Sequence, residues 1–98
     1  MRLNSLKDIK KIYFIGIGGI SMSALAKLLS IYGYEVCGSD GVCGEEVGKL
    51  AFYGVKVFIG EDGARAELQN ADAVVYTDAI SPEHEERKRA EFMQKRIF

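Results

Sequence analysis

The stretch Phe14-Ile-Gly-Ile-Gly-Gly-Ile-Ser-Met-Ser-Ala-Leu-Ala26 changes its apolar period in the middle. Before the glycines, Lys11 to Ile15 is rich in β-branched and aromatic residues, the composition of a short buried strand. After them, apolar residues recur at Met22, Leu25, Ala26, Leu29 and Tyr32, one face of a helix that opens at Ser21 and stops at Gly33. A strand, a glycine turn and a helix in that order are the context in which a G-x-G-x-x-G pattern indicates a phosphate-binding loop. Gly16 permits the tight turn, and Gly18 lets a diphosphate approach the backbone with no Cβ in the way. Gly19 and Ile20 lead into the helix, whose first N–H groups supply donors and a partial positive charge. Ser21 stands where the third glycine usually falls, and its expected role is to cap or pack the helix start.

Outward from this stretch the alternation continues. Glu35 to Gly38 reads as a second strand, followed by a Ser39-Asp40-Gly41 turn. Val47, Leu50 and Ala51 line a short second helix that stops at Gly54, and Val55 to Ile59 is a third strand. Gly60 to Gly63 turns the chain, Ala64 to Asn70 forms a weak helix, and Ala73 to Thr77 is a fourth strand. Ser81-Pro82, with Glu83, Glu85 and Glu86 in a first turn and Lys95-Arg96 in a last one, marks a final helix with charges matched to its dipole. Strands alternating with helices imply right-handed crossovers. The expected fold is α/β: a Rossmann-like three-layer α/β/α arrangement with a parallel sheet of four to five strands, residues 1–98 forming a single domain.

Ligands in such sheets bind beyond the carboxyl ends of the strands. That rule nominates the glycine loop, Ser39-Asp40, and Asp78-Ala79-Ile80. Asp40 lies 19 residues beyond Ser21, the usual offset for a carboxylate that accepts hydrogen bonds from ribose hydroxyls. Loop and carboxylate together suit a ribose diphosphate, an element shared by NAD, FAD and UDP-sugars. These residues alone do not separate a UDP-sugar site from an NAD-sensing regulatory module or a dehydrogenase fragment.

Composition narrows the classes further. The chain has 98 residues and a formal net charge of −1, with no basic patch for nucleic acid. Arg87, Lys88 and Arg89 are interleaved with Glu83, Glu85, Glu86 and Glu91, a pattern expected on a solvated helix face. Lys27 interrupts the longest apolar run well short of the roughly 20 residues that span a bilayer. Lys7, Lys10 and Lys11 before that run superficially copy a secretory signal, but its three glycines make a poor hydrophobic helix. Cys37 and Cys43 lack the number and spacing of a zinc or redox site and are expected as reduced thiols in a cytoplasmic protein, Cys37 buried in its strand; a local disulfide between them is the alternative. His84, the single histidine, is expected on the helix surface among glutamates. There is no G-x-x-x-x-G-K-[ST] loop for ATP, no metal site and no catalytic set.

Taken together, FIGIGGISMSALA, YGYEVCGSD, GVKVFIGED and ADAVVYTDAI resemble the amino-terminal domain of the Mur ligase family, over about Lys11 to Glu91. The likeness is greatest to the alanine-adding branch. The murein-tripeptide branch usually carries a cysteine in the loop, where this chain has Gly18-Gly19. The resemblance implies an ATP-dependent, peptide-bond-forming ligase of peptidoglycan synthesis, in which the first domain binds UDP-N-acetylmuramate. Two later domains would use ATP and magnesium to form an acyl phosphate, which the amine of alanine attacks. Gly18, Gly19, Ile20 and Ser21 would then cradle the pyrophosphate, Ser39 and Asp40 would meet ribose or uracil, and Thr77, Ala79 and Ile80 would line the uracil pocket. The chain would be a truncated piece, inactive alone, with the remaining domains of the same ligase as its partners and a fifth strand beginning at its end. Four positions depart from the family pattern: Ser21 replaces glycine, Asp78 replaces serine, and His84 and Glu85 stand where an Asn-Pro-Glu is usual, of which only Glu86 matches.

Overall fold

The computed structural model describes residues 9–41, 44–60, 65–77, 79–93 and 96–97. Among the described residues five strands run β1 (Lys11–Ile15), β2 (Glu35–Asp40), β3 (Lys56–Ile59), β4 (Ala73–Val75) and β5 (Arg96–Ile97). Between them lie the helices α1 (Ile20–Ile31), α2 (Glu45–Leu50), α3 (Arg65–Asn70) and α4 (Glu85–Phe92), with a 3₁₀ turn at Ala51–Tyr53. All pairings are parallel, in the order β3-β2-β1-β4-β5. The order reverses at β1, so the crevice between the carboxyl ends on either side of β1 is the place this topology offers a ligand.

From Ile12 to Ile15, β1 is buried because both of its faces are covered. Ile12 and Phe14 enter a cluster with Met22, Ala26, Val36 and Leu50, while Tyr13 and Ile15 enter the opposite one with Cys37, Leu68, Val74 and Ala90. Successive side chains point to opposite faces, so one strand feeds two cores. Each fully buried large aliphatic or aromatic side chain contributes about 1.5–3 kcal/mol. At Gly38, in the middle of β2, a Cβ would stand 2.5 Å from the Phe14 carbonyl oxygen, so only glycine lets the two strands lie together. At the other end of the sheet, Asp72 accepts the amides of Lys10 and Lys11, each at 2.9 Å, and sets the start of β1 beside β4.

Several boundaries differ from the sequence reading. β2 continues through Ser39 and Asp40, because Ser39 is paired with Ile15 on one side and Phe58 on the other. β4 ends at Val75 rather than Thr77. On α1 the buried positions are Met22, Ser23 and Ala26, whereas Leu25 and Tyr32 are exposed. Ala51 is exposed as the helix tightens into its 3₁₀ turn. α4 begins at Glu85, three residues after Pro82, because Ser81 closes a separate turn by accepting the His84 amide on its carbonyl and the Glu83 amide on its hydroxyl. It ends at Phe92, and Arg96 belongs to β5. Among the described residues no helix is long and apolar enough to cross a membrane. The readings placed on Cys43, Asp78, Lys95 and residues 61–64 lie outside the described residues.

Candidate functional site

A cleft of about 310 Å³ opens at the carboxyl ends of the strands, lined by Gly16, Ser39, Asp40, Gly41, Gly60, Ile80 and His84. Four of the expected site residues, Gly16, Ser39, Asp40 and Ile80, therefore meet in one place. Gly18, Gly19, Ile20, Ser21, Thr77 and Ala79 do not line this cleft; the first four continue from Gly16 into α1, and the last two sit on the loop between β4 and α4.

The glycine loop is built against the end of β2. The Ser39 carbonyl accepts the amides of Gly16 and Ile17, both at 2.9 Å. Gly16 has φ +78°, and a Cβ there would also meet Ile80 Cδ1 at 2.9 Å, so loop shape and the apolar wall of the cleft are set together. The Gly18 amide donates to Asp40 Oδ2 at 2.8 Å. Gly19 is the N-cap of α1, with extended backbone and no side-chain cap. The amides of Ile20, Ser21 and Met22 lie in the first helical turn, where the helix itself offers no acceptor. Ser21 is exposed and makes no capping bond, so the capping or packing role expected of it is not what the structure has. Close packing is instead supplied by Ser23, whose buried hydroxyl donates to the Ile20 carbonyl at 3.0 Å.

The opposite wall comes from the β4–α4 loop. Thr77 accepts the Ala79 amide on its hydroxyl at 3.3 Å and the Ile80 amide on its carbonyl at 3.0 Å. Arg87 reaches back to donate to the Ile80 carbonyl at 2.7 Å, while its guanidinium lies 4.8 Å from the Tyr76 ring centre. From the β3 side, Gly60 donates its amide to the Asp40 carbonyl at 2.9 Å.

Of two residues read as surface positions, Glu86 is buried and His84 is half-buried. His84 lines the cleft and caps α4, its Nδ1 accepting the Glu86 amide at 3.1 Å. Glu86 is 2% exposed, and its carboxylate accepts from the hydroxyls of Tyr13 and Ser39. Burial, reinforced by the bond to Glu86, holds the Tyr13 phenol well above its ordinary value, so it remains a donor. The Ser39 hydroxyl is thus engaged in the interior even though the residue borders the cleft. Cys37 is free, buried, and pushed up to about 12 by desolvation. Gly41 and Gly60 contribute only backbone, and a glycine in a turn carried no ligand signal in the sequence. His84 could have been found as an N-cap, since it precedes two acidic residues of a first turn.

The family described as "Mur ligase family, catalytic domain" matches residues 11–97. Among curated proteins, the chain is 42% identical over 90 residues to UDP-N-acetylmuramate:L-alanine ligase of Clostridium tetani, covering 92% of this chain and 19% of that protein. The enzyme of the same name from Clostridium perfringens is 47% identical over 87 residues, covering 88% of this chain and 19% of its own length. Among solved structures, UDP-N-acetylmuramate-alanine ligase from Thermotoga maritima superposes with a TM-score of 0.80 at 32% identity, over 89% of this chain and 20% of that one. A murein peptide ligase from Psychrobacter arcticus gives 0.81 at 27% identity, over 91% and 18%. The chain thus spans about a fifth of the length of the relatives it matches.

Proposed function

Because the chain belongs to the Mur ligase family, we propose that its cleft holds the uridine diphosphate end of UDP-N-acetylmuramate, in a longer protein that joins the muramate carboxyl to L-alanine using ATP. The observation that carries this reading is the uncapped start of α1, four residues on from cleft-lining Gly16. The amides of Ile20 and Ser21 are proposed to cradle the diphosphate against Gly19, whose own amide donates to the Gly16 carbonyl at 3.4 Å, with the Ser21 hydroxyl beside them. Asp40 accepts from the ribose hydroxyls, and Ile80, with Thr77 and Ala79 on its loop, takes the flat face of uracil. The alanine branch is favoured over the murein-tripeptide one by identity: 42% and 47% to the alanine ligases and 32% to a solved one, against 27% to the murein peptide ligase.

These residues bind and orient; none makes or breaks a bond. Among the described residues no three His, Cys, Asp or Glu side chains gather to hold a metal. The sequence carries no G-x-x-x-x-G-K-[ST] loop, and this reading assigns ATP and magnesium to the rest of such a ligase. The cytoplasm, where ATP and nucleotide-linked sugars are made, is the compartment this reading requires. The test is the activity of the longer protein: phosphate release from ATP that requires both UDP-N-acetylmuramate and L-alanine supports the reading. Release that depends on a different amino acceptor, or on no UDP-sugar, rejects it.

A further inference from the structure

We infer that Glu86 is a positioning residue of the cleft, an inference that rests on the proposed ligand reading and adds to it the residue that sets the His84 wall. A carboxylate is a costly group to place in a core unless its lone pairs are taken up by donors. Here the donors come from two strands: Tyr13 on β1 and Ser39 on β2 both bond to Glu86 on α4. Ser39 is at the same time the residue whose carbonyl anchors the amides of Gly16 and Ile17. Glu86 therefore ties the start of α4 to the root of the glycine loop through one intervening residue.

Its own amide is the one that His84 Nδ1 accepts. With Nδ1 accepting that amide, the His84 ring is held where it lines the cleft. Rotating α4 or sliding it by one residue would break the bonds to Tyr13 and Ser39 and carry His84 away from the cleft. The carboxylate thus fixes a register that an apolar side chain at the same place would leave unspecified.

The chain contains one histidine, so its ring protons give a unique NMR signal. Titration of the full chain with UDP is expected to shift the glycine-loop amides and the His84 ring. Glu86→Gln, which keeps the shape and an acceptor, should bind UDP within about threefold of the parent. Glu86→Met should bind at least about tenfold more weakly, with its His84 ring no longer responding, although the amide spectrum remains that of a folded chain. Should Glu86→Met not fold, the Tyr13→Phe/Glu86→Met double variant removes one orphaned hydroxyl and faces the same criterion. A folded Met variant that binds UDP as the parent does, with His84 responding, overturns the inference alone. A parent chain with no UDP-induced shift overturns the ligand reading and this inference with it.

Discussion

The Asp40 carboxylate accepts the Gly18 amide at 2.8 Å, joining the end of β2 to the middle of the glycine loop. This bond explains why the two adjacent glycines have different reasons to be glycine. A Cβ on Gly18 would stand 2.8 Å from Asp40 Oδ2 and 2.9 Å from Val47 Cγ2, whereas the nearest atom to a Cβ on Gly19 is 3.8 Å away. Gly18→Ala is therefore expected to lower stability by roughly 1–3 kcal/mol in thermal denaturation. Gly19→Ala should melt within about 2 °C of the parent while weakening UDP binding, because its methyl enters the approach to the α1 amides. Equal melting of the two variants would contradict this division of roles.

Asp40 has one carboxylate and, on this account, two duties: holding Gly18 and meeting ribose. Asp40→Ala should weaken UDP binding by about 1.5–3 kcal/mol and also destabilise the loop. Asp40→Asn retains an acceptor for Gly18 and should recover stability but only part of the affinity. Calorimetry and melting curves on the same samples separate the two effects; an Ala variant with unchanged affinity removes Asp40 from the ligand site.

Lys11 on β1 and Glu67 on α3 form an ion pair that gives a pH signature. The hydrogen bond to Lys11 lowers the Glu67 value from its ordinary 4.5, and the same bond raises Lys11 from 10.5. A carboxylate depressed in the folded state contributes stability above its unfolded value and loses it as pH falls through the folded one. A raised lysine contributes below 10.5 and loses it above. Glu67→Gln should thus cost up to about 1 kcal/mol at pH 7 and progressively less below about pH 4. A penalty unchanged at pH 3 would show that the pair is not what Glu67 contributes.

Cys37 is 2% exposed and its thiol is pushed up to about 12, so almost no thiolate exists at neutral pH. Peptide mapping after maleimide treatment at pH 7 should find Cys37 unmodified in the folded chain and modified in denaturant. Rapid labelling under native conditions would place it outside the core described above.

How far the sequence reveals this molecule depends on whether the deciding contact is local. β1 and the glycine loop were legible because a strand period gives way to a helical one across Gly16 to Gly19. The end of β2 was not: Ser39-Asp40-Gly41 has the composition of a turn, and only pairing to Ile15 and Phe58 draws the first two residues into the sheet. Glu86 is the sharpest case. In a run of charged residues it reads as solvated, yet its burial is decided by Tyr13, 73 positions away. His84, whose ring accepts the Glu86 amide, lines the cleft, and Gly41 and Gly60 join it through backbone alone, leaving no side-chain pattern to read.

The central claim, that the carboxyl ends of β1, β2 and β4 hold a uridine diphosphate rather than a nicotinamide dinucleotide, is tested most directly by calorimetric titration of the chain with UDP-N-acetylmuramate and, separately, with NADH. The account predicts saturable binding of UDP-N-acetylmuramate that Asp40→Ala weakens, and no binding of NADH under the same conditions. Saturable binding of NADH with no response to UDP-N-acetylmuramate would contradict it.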